Sequence, residues 1–192
     1  MKLKLLAAAL LAASSFAVQA EPITYTIDPA HAQVEFTYSH FGFSNITGRF
    51  DKISGKLTYD PSEPSASSIE VTVDVDSVST GVEKLDEHLK GTDFFDVAKY
   101  PTATFKSTGV TITGVGALKL TGDLTIHGKT LPATFEVQRN SLGRHPMRGI
   151  PAIGFDAAGT INRAAYGIDK YLQVTGPEVK LQITAEALVL GQ

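Results

Sequence analysis

The sequence predicts an all-β domain of antiparallel strands, either a sandwich or a barrel, behind an N-terminal export signal. Three observations carry this. Apolar and polar residues alternate with period two over many short runs, Gly- and Pro-marked turns separate those runs, and a single segment has helical spacing.

In chain order, Lys2 and Lys4 precede an unbroken apolar run from Leu5 to Ala13, and the segment ends Val18-Gln19-Ala20. A basic start, an apolar stretch of about 7–15 residues and small residues before the cut are the layout of a secretory signal. The sequence therefore predicts a cleaved signal peptide over 1–20 and one domain over 21–192. A membrane anchor needs about 20 apolar residues, and Ser14, Ser15 and Gln19 interrupt the run too early. No later stretch is long enough to span, so stable membrane insertion is not expected. Losing Lys2 and Lys4 makes the formal net charge of −3 two units more negative. An acidic chain is poorly suited to nucleic acid, where Lys and Arg supply the affinity. Cysteine is absent, which excludes disulfides, thiol catalysis, Cys-ligated zinc and an acylated N-terminal cysteine.

Strands are expected at 23–28 and at 33–38, where Val34, Phe36 and Tyr38 alternate with Gln33, Glu35 and Thr37. Another fits 49–59, and Asp60-Pro61 with Glu63-Pro64 marks a loop after it. Ile69, Val71, Val73 and Val75 then alternate with Glu70, Thr72, Asp74 and Asp76. The helical segment follows. Thr80-Gly81-Val82-Glu83 has capping-box spacing, and Gly91 is placed to end the helix in a left-handed conformation. Val82, Leu85 and Leu89 share its apolar face, with Asp86 and His88 at the edges of that stripe. Such a helix suits either a lid over one barrel end or a plug in the core. Further strands fit 102–108 and 110–113, with Gly109 as a tight reversal between them, and Gly114 and Gly116 mark the next turn. Leu118, Leu120 and Gly122 alternate with Lys119 and Thr121, and Gly128-Lys129 joins this run to a strand at 132–138 as a hairpin. Phe155, Ala157, Gly159 and Ile161 form a more apolar run, and Val179, Leu181 and Ile183 alternate with Lys180, Gln182 and Thr184.

Several motifs fail on inspection. GDLTIHGKT, Gly122 to Thr130, has five residues between its glycines instead of the four of a phosphate-binding loop, and a strand follows it rather than a helix. Gly114-Val115-Gly116 lacks the third glycine of a dinucleotide fingerprint. The run from Asp74 begins like a calcium loop, but Val78 and Ser79 stand where a ligand and a glycine are required. There is no HExxH pair and no G-x-S-x-G elbow. Asp86 and His88 would serve as acid and base of a hydrolase only with a nucleophile and an oxyanion hole, and neither is identifiable. Their bland role is to hydrogen-bond the helix to the barrel rim. Aromatics cluster early (Phe36, Tyr38, Phe41, Phe43, Phe50), after the helix (Phe94, Phe95, Phe105) and late (Phe135, Phe155). A small barrel either fills its interior with side chains or holds one ligand. Large residues near the helix and small ones such as Ala157 and Gly159 elsewhere are compatible with an elongated cavity or with a filled core.

The chain resembles the YceI family of lipocalin-like, polyisoprenoid-binding proteins from about Tyr25 to Leu190. The most specific stretch runs from Thr80 to Thr108. It contains Asp86-x-His88-Leu89, Phe94-Phe95-Asp96, and Tyr100-Pro101 followed by Phe105. Ile27-Asp28 with His31, Val34 and Phe36, the TGDLTIHG stretch from Thr121 to Gly128, and Asn162-Arg163 with Tyr166-Gly167 also match family motifs. Leu85 departs from the pattern, since many members carry a basic residue there. The resemblance implies an extended antiparallel eight-stranded lipocalin-like barrel with one short helix, about 81–90, near a barrel end. It also implies export to the bacterial periplasm, no metal, no cofactor, and a long isoprenoid or fatty-acyl ligand in the barrel. On that reading the chain is a carrier, not an enzyme. Phe36, Tyr38, Phe41, Phe50, Val73, Leu89, Phe94, Phe95, Phe105 and Phe155 are the candidates to line the tunnel or its mouth. Asp86, His88 and Arg163 are the candidate polar contacts at the mouth. The alternatives are a stress or interaction protein acting through its surface, or a small hydrolase using Asp86 and His88. A homodimer through a strand edge or the helix is compatible with the sequence.

Overall fold

The alternating runs become ten strands in a computed structural model that describes residues 20–190. The expected signal peptide, Ala20 apart, lies outside the described residues. The strands are β1 (Ile23–His40), β2 (Ser44–Phe50), β3 (Ile53–Tyr59), β4 (Ser68–Asp74), β5 (Val78–Ser79), β6 (Thr102–Ile112), β7 (Ala117–Ile126), β8 (Lys129–Arg144), β9 (Pro151–Asn162) and β10 (Glu178–Leu188). The short helices are α1 (Glu83–Lys90) and α2 (Leu172–Thr175). Eight strands in the order β1-β3-β4-β6-β7-β8-β9-β10 close into an antiparallel barrel, because β10 pairs back onto β1. The extra strands β2 and β5 extend one side. The first part of β1 pairs with β3 (Ile23↔Tyr59) and its last part with β2 (His40↔Ser44).

Turn chemistry sets the reversals. The β7–β8 hairpin closes from Ile126 to Lys129 around His127 (φ 52°) and Gly128 (φ 73°), the paired left-handed conformation of a tight two-residue hairpin. Gly109 does not reverse the chain. β6 runs straight through it, and the extra residue is absorbed as a register shift between Ser107 and Gly109. The Ser107 hydroxyl accepts a hydrogen bond from the Ile69 amide at 2.9 Å, and Thr121 Oγ1 donates to the Gly109 carbonyl at 3.2 Å. A similar break in β1, between Ile27 and Ala32, surrounds Pro29, which has no N–H to give to the ladder.

Helix α1 also differs from expectation at both ends. The side chain reaching back is Asp86, not Glu83: its Oδ1 accepts from the Thr80 amide at 2.7 Å and from Thr80 Oγ1 at 2.6 Å. Gly91 is extended (φ −70°, ψ 174°), and the left-handed residues flanking the helix are Gly81 and Asp96. Leu89 is buried in the core, Leu85 is half-buried against it, and Val82 is exposed. The helix therefore acts as a plug. With Phe94 and Phe95 it packs against Phe36, Phe50, Val75, Val78 and Tyr166 to fill that end of the barrel. A second core group, Tyr25, Ile27, Ile53, Leu57, Ile153 and Ala187, lies along β1, β3, β9 and β10 toward the other end.

Three inward-facing glycines each sit under a phenylalanine ring: Gly48 under Phe36, Gly122 under Phe105 and Gly159 under Phe135. At Gly159 an added Cβ would lie 2.7 Å from Phe135 Cδ1. The space that the small residue leaves is occupied by the ring, so Gly159 does not open the interior.

Candidate functional site

Above the plug, the inward faces of all eight wall strands enclose a cavity of about 440 Å³. Each strand contributes by its alternation: Val34 from β1, Leu57 from β3, Val71 from β4, Val110 from β6, Leu120 from β7, Val137 from β8, Ala157 from β9 and Ile183 from β10. This volume lies within the roughly 300–1,000 Å³ typical of ligand pockets. Many of these apolar side chains remain only half-buried, Val34, Val71, Leu120 and Ile183 among them, whereas residues of the plug such as Val75, Val78 and Leu89 are about 4% exposed. The unfilled apolar surface is thus concentrated in one part of the barrel. Phe50, Leu124, Phe105 and Phe135 stand at its base, with the Phe105 and Phe135 rings edge-to-face at 5.3 Å.

The cavity reaches the surface between the β3–β4 and β6–β7 loops, where Tyr59, Pro64, Ser67, Gly114, Val115 and Gly116 line it. This is the end remote from α1, since β4 runs from this rim to the helix end and β6 runs back from the helix end to the rim. Among the described residues, one charged side chain lines the cavity: Arg139 of β8. Its Nη1 donates to the Tyr59 hydroxyl at 2.9 Å, and its guanidinium lies 5.9 Å from the Tyr59 ring centroid.

The structure distributes the sequence-selected residues between the two ends. Phe50, Val73, Phe105 and Phe155 line the cavity. Phe36 and Leu89 are buried below it, and Tyr38 stacks on Phe36 at 6.5 Å. Phe95 meets Phe50 edge-on at 5.5 Å, and Phe94 meets the His88 ring edge-on at 5.0 Å. Phe41 is exposed in the β1–β2 turn. Asp86, His88 and Arg163 lie at the plugged end, opposite the opening. Both Thr80 donors go to Asp86, and exposed His88 lies between the Phe94 and Tyr171 rings. Arg163 is 7% exposed and donates to the carbonyls of Gly176, Ile168 and Lys170 and to Thr175 Oγ1, all at 2.8–2.9 Å. These bonds tie the 163–176 segment together. Burial lowers the pKa of the guanidinium, opposed by Tyr38 and Asp169, and burial in turn raises that of the Tyr38 phenol.

Arg139 and Tyr59 were not selected from sequence, yet a signal for them exists. Arg139 continues the inward phase Phe135, Val137, and Tyr59 continues Ile53, Gly55, Leu57. Period-two alternation therefore puts both polar side chains on the inward face at the rim ends of their strands. Among the described residues no cluster of three or more His, Cys, Asp or Glu stands close enough to hold a metal ion.

Comparison with known proteins gives consistent matches. A family model described as a YceI-like domain matches residues 25–187. A UPF0312 protein of Vibrio cholerae is 40% identical over 170 residues, which covers 88% of this chain and 89% of that protein. Among solved structures, Burkholderia cenocepacia BcnA superposes with a TM-score of 0.75 at 27% identity, covering 83% of this chain and 98% of that one. A polyisoprenoid binding domain from Saccharophagus degradans superposes at 0.65 with 18% identity, covering 86% and 98%, a likeness of fold.

Proposed function

The chain belongs to the YceI-like family, and from that premise we propose that it is a periplasmic carrier holding one long apolar amphiphile in its barrel. The ligand is of isoprenoid or fatty-acyl type, with its chain in the cavity and its head at the mouth beside Arg139. The observation that carries this reading is a continuous apolar cavity, open at one end, with a single cationic side chain at its rim. Burying a chain there gains about 0.8 kcal/mol per CH₂, so affinity grows with chain length without many polar contacts. The planar guanidinium of Arg139, steadied by Tyr59, suits a carboxylate or phosphate head. The Saccharophagus neighbour, described as polyisoprenoid binding, supports the ligand class, and the signal-like residues 1–20 support export. The role is binding rather than catalysis: Asp86 is engaged by Thr80, and His88 is packed between two aromatic rings.

Filling the cavity tests this. Ala157 faces it between Val137 and Ile183. Ala157→Phe should abolish uptake of a fluorescent fatty-acyl probe while leaving the β-sheet circular dichroism unchanged. Undiminished uptake by a folded Ala157→Phe protein would place the ligand elsewhere.

A further inference from the structure

The rim of the cavity carries two features that the cavity itself does not require. Its loops and the strand ends beside them present large apolar side chains to solvent: Val115 is 100% exposed, Met147 91%, Ile112 50% and Leu142 42%. Val115 and Met147 stand in the β6–β7 and β8–β9 connections, and Ile112 and Leu142 near the strand ends that lead into them, all at the open end. The β8–β9 hairpin is also basic. It holds three of the chain's five arginines, Arg139, Arg144 and Arg148, with His145, and no acid occurs between Glu136 and Asp156. The other acids at this end lie off the hairpin: Asp60 and Glu63 on the β3–β4 loop across the ring of strands, Glu21 before β1, and Glu186 on β10. Asp60 Oδ1 is already bonded by the amides of Ser62 and Glu63. Arg148 leans 3.5 Å from buried Asp28, which anchors the basic loop to β1.

We infer that this side of the rim docks on the surface of a bilayer containing anionic lipids, so that the mouth opens onto the membrane. The charge is complementary to such a surface, and isolated apolar tips beside arginines suit insertion among lipid head groups. The apolar tips are continuous with the cavity, since Ile112 and Val115 belong to both. A chain leaving the bilayer would therefore pass along apolar side chains rather than through water. This inference rests on the carrier reading, because it gives the carried chain its source and its route.

Flotation of the mature protein with phosphatidylcholine vesicles, with and without phosphatidylglycerol, is the test. The protein should float with the anionic vesicles and dissociate as salt rises. Arg144→Ala/Met147→Ser alters two exposed residues outside the cavity, one at the end of β8 and one in the loop after it. Each lost arginine lowers partition about fivefold, and the lost methionine adds to this, so the double variant should bind about tenfold more weakly or worse. Its uptake of the fatty-acyl probe from cyclodextrin should be unchanged, and its uptake from vesicles slower. Equal flotation with neutral and anionic vesicles, or wild-type flotation by the folded double variant, would overturn the docking. A protein that takes up the probe from cyclodextrin but ignores vesicles refutes docking and keeps the carrier. One that floats but takes up no probe keeps the surface and refutes the carrier.

Discussion

Arg163 holds a segment at the plugged end of the barrel together, and Arg139 stands at the cavity mouth. Arg163 stands out in the sequence within a family-like motif, whereas its fork is spent on three carbonyls and a hydroxyl of its own segment. Removing it leaves buried acceptors unpaired, at about 1–3 kcal/mol each. Arg163→Ala should therefore destabilise the barrel by more than about 3 kcal/mol in urea denaturation, yet leave probe content per folded molecule unchanged. Arg139→Ala should do the reverse, costing less than about 1 kcal/mol of stability because the residue is half-buried with one neutral partner. It should weaken binding of a fatty acid more than binding of the corresponding alcohol. Asp28 supplies a pH dependence. Hydrogen bonds from the Ala30 amide and from His31, with Arg148 nearby, hold its pKa below the usual carboxylate value. A depressed carboxylate stabilises the fold above its unfolded pKa, and that contribution is lost as pH falls through the folded one. The acid limb of stability, below about pH 4, should flatten in Asp28→Asn when both proteins are melted across that range.

Among the elements, strands were legible because period-two alternation reports a barrel wall directly. Val34-Phe36 and Ile69-Val71-Val73 all face inward, as their spacing required. What failed to show were features decided by which of several possible partners a residue meets in the fold. Whether Gly109 reverses or bulges depends on Thr121 across the ladder, and the reach-back to Thr80 depends on Asp86, one turn further along than the capping box places it. Helix α1 was equally readable as lid or plug, and burial of Leu89 decides for the plug. The opening then has to lie at the other end, which no local pattern of aromatics announces. The glycine–phenylalanine contacts belong to this scale as well. Gly159→Ala pushes Phe135 off its seat toward the cavity. It should cost about 1–3 kcal/mol by overpacking and reduce probe binding, measured by melting and by titration on the same sample.

For the whole molecule, closure of eight strands removes the long sheet edges that invite aggregation. It also divides the interior into a filled half and an open half. A fully packed barrel would have had every inward side chain buried, as at the plug. Here Val34, Val71, Leu120 and Ile183 keep partial exposure around a cavity of about 440 Å³. That surface is the reason to expect an occupant. Native mass spectrometry of the protein purified gently from the cells that make it, followed by organic extraction, tests this most directly. The carrier account predicts a reproducible added mass that extracts as a long-chain lipid and is missing from Ala157→Phe. A clean protein mass that stays unchanged on addition of isoprenoid or fatty-acyl compounds would contradict it.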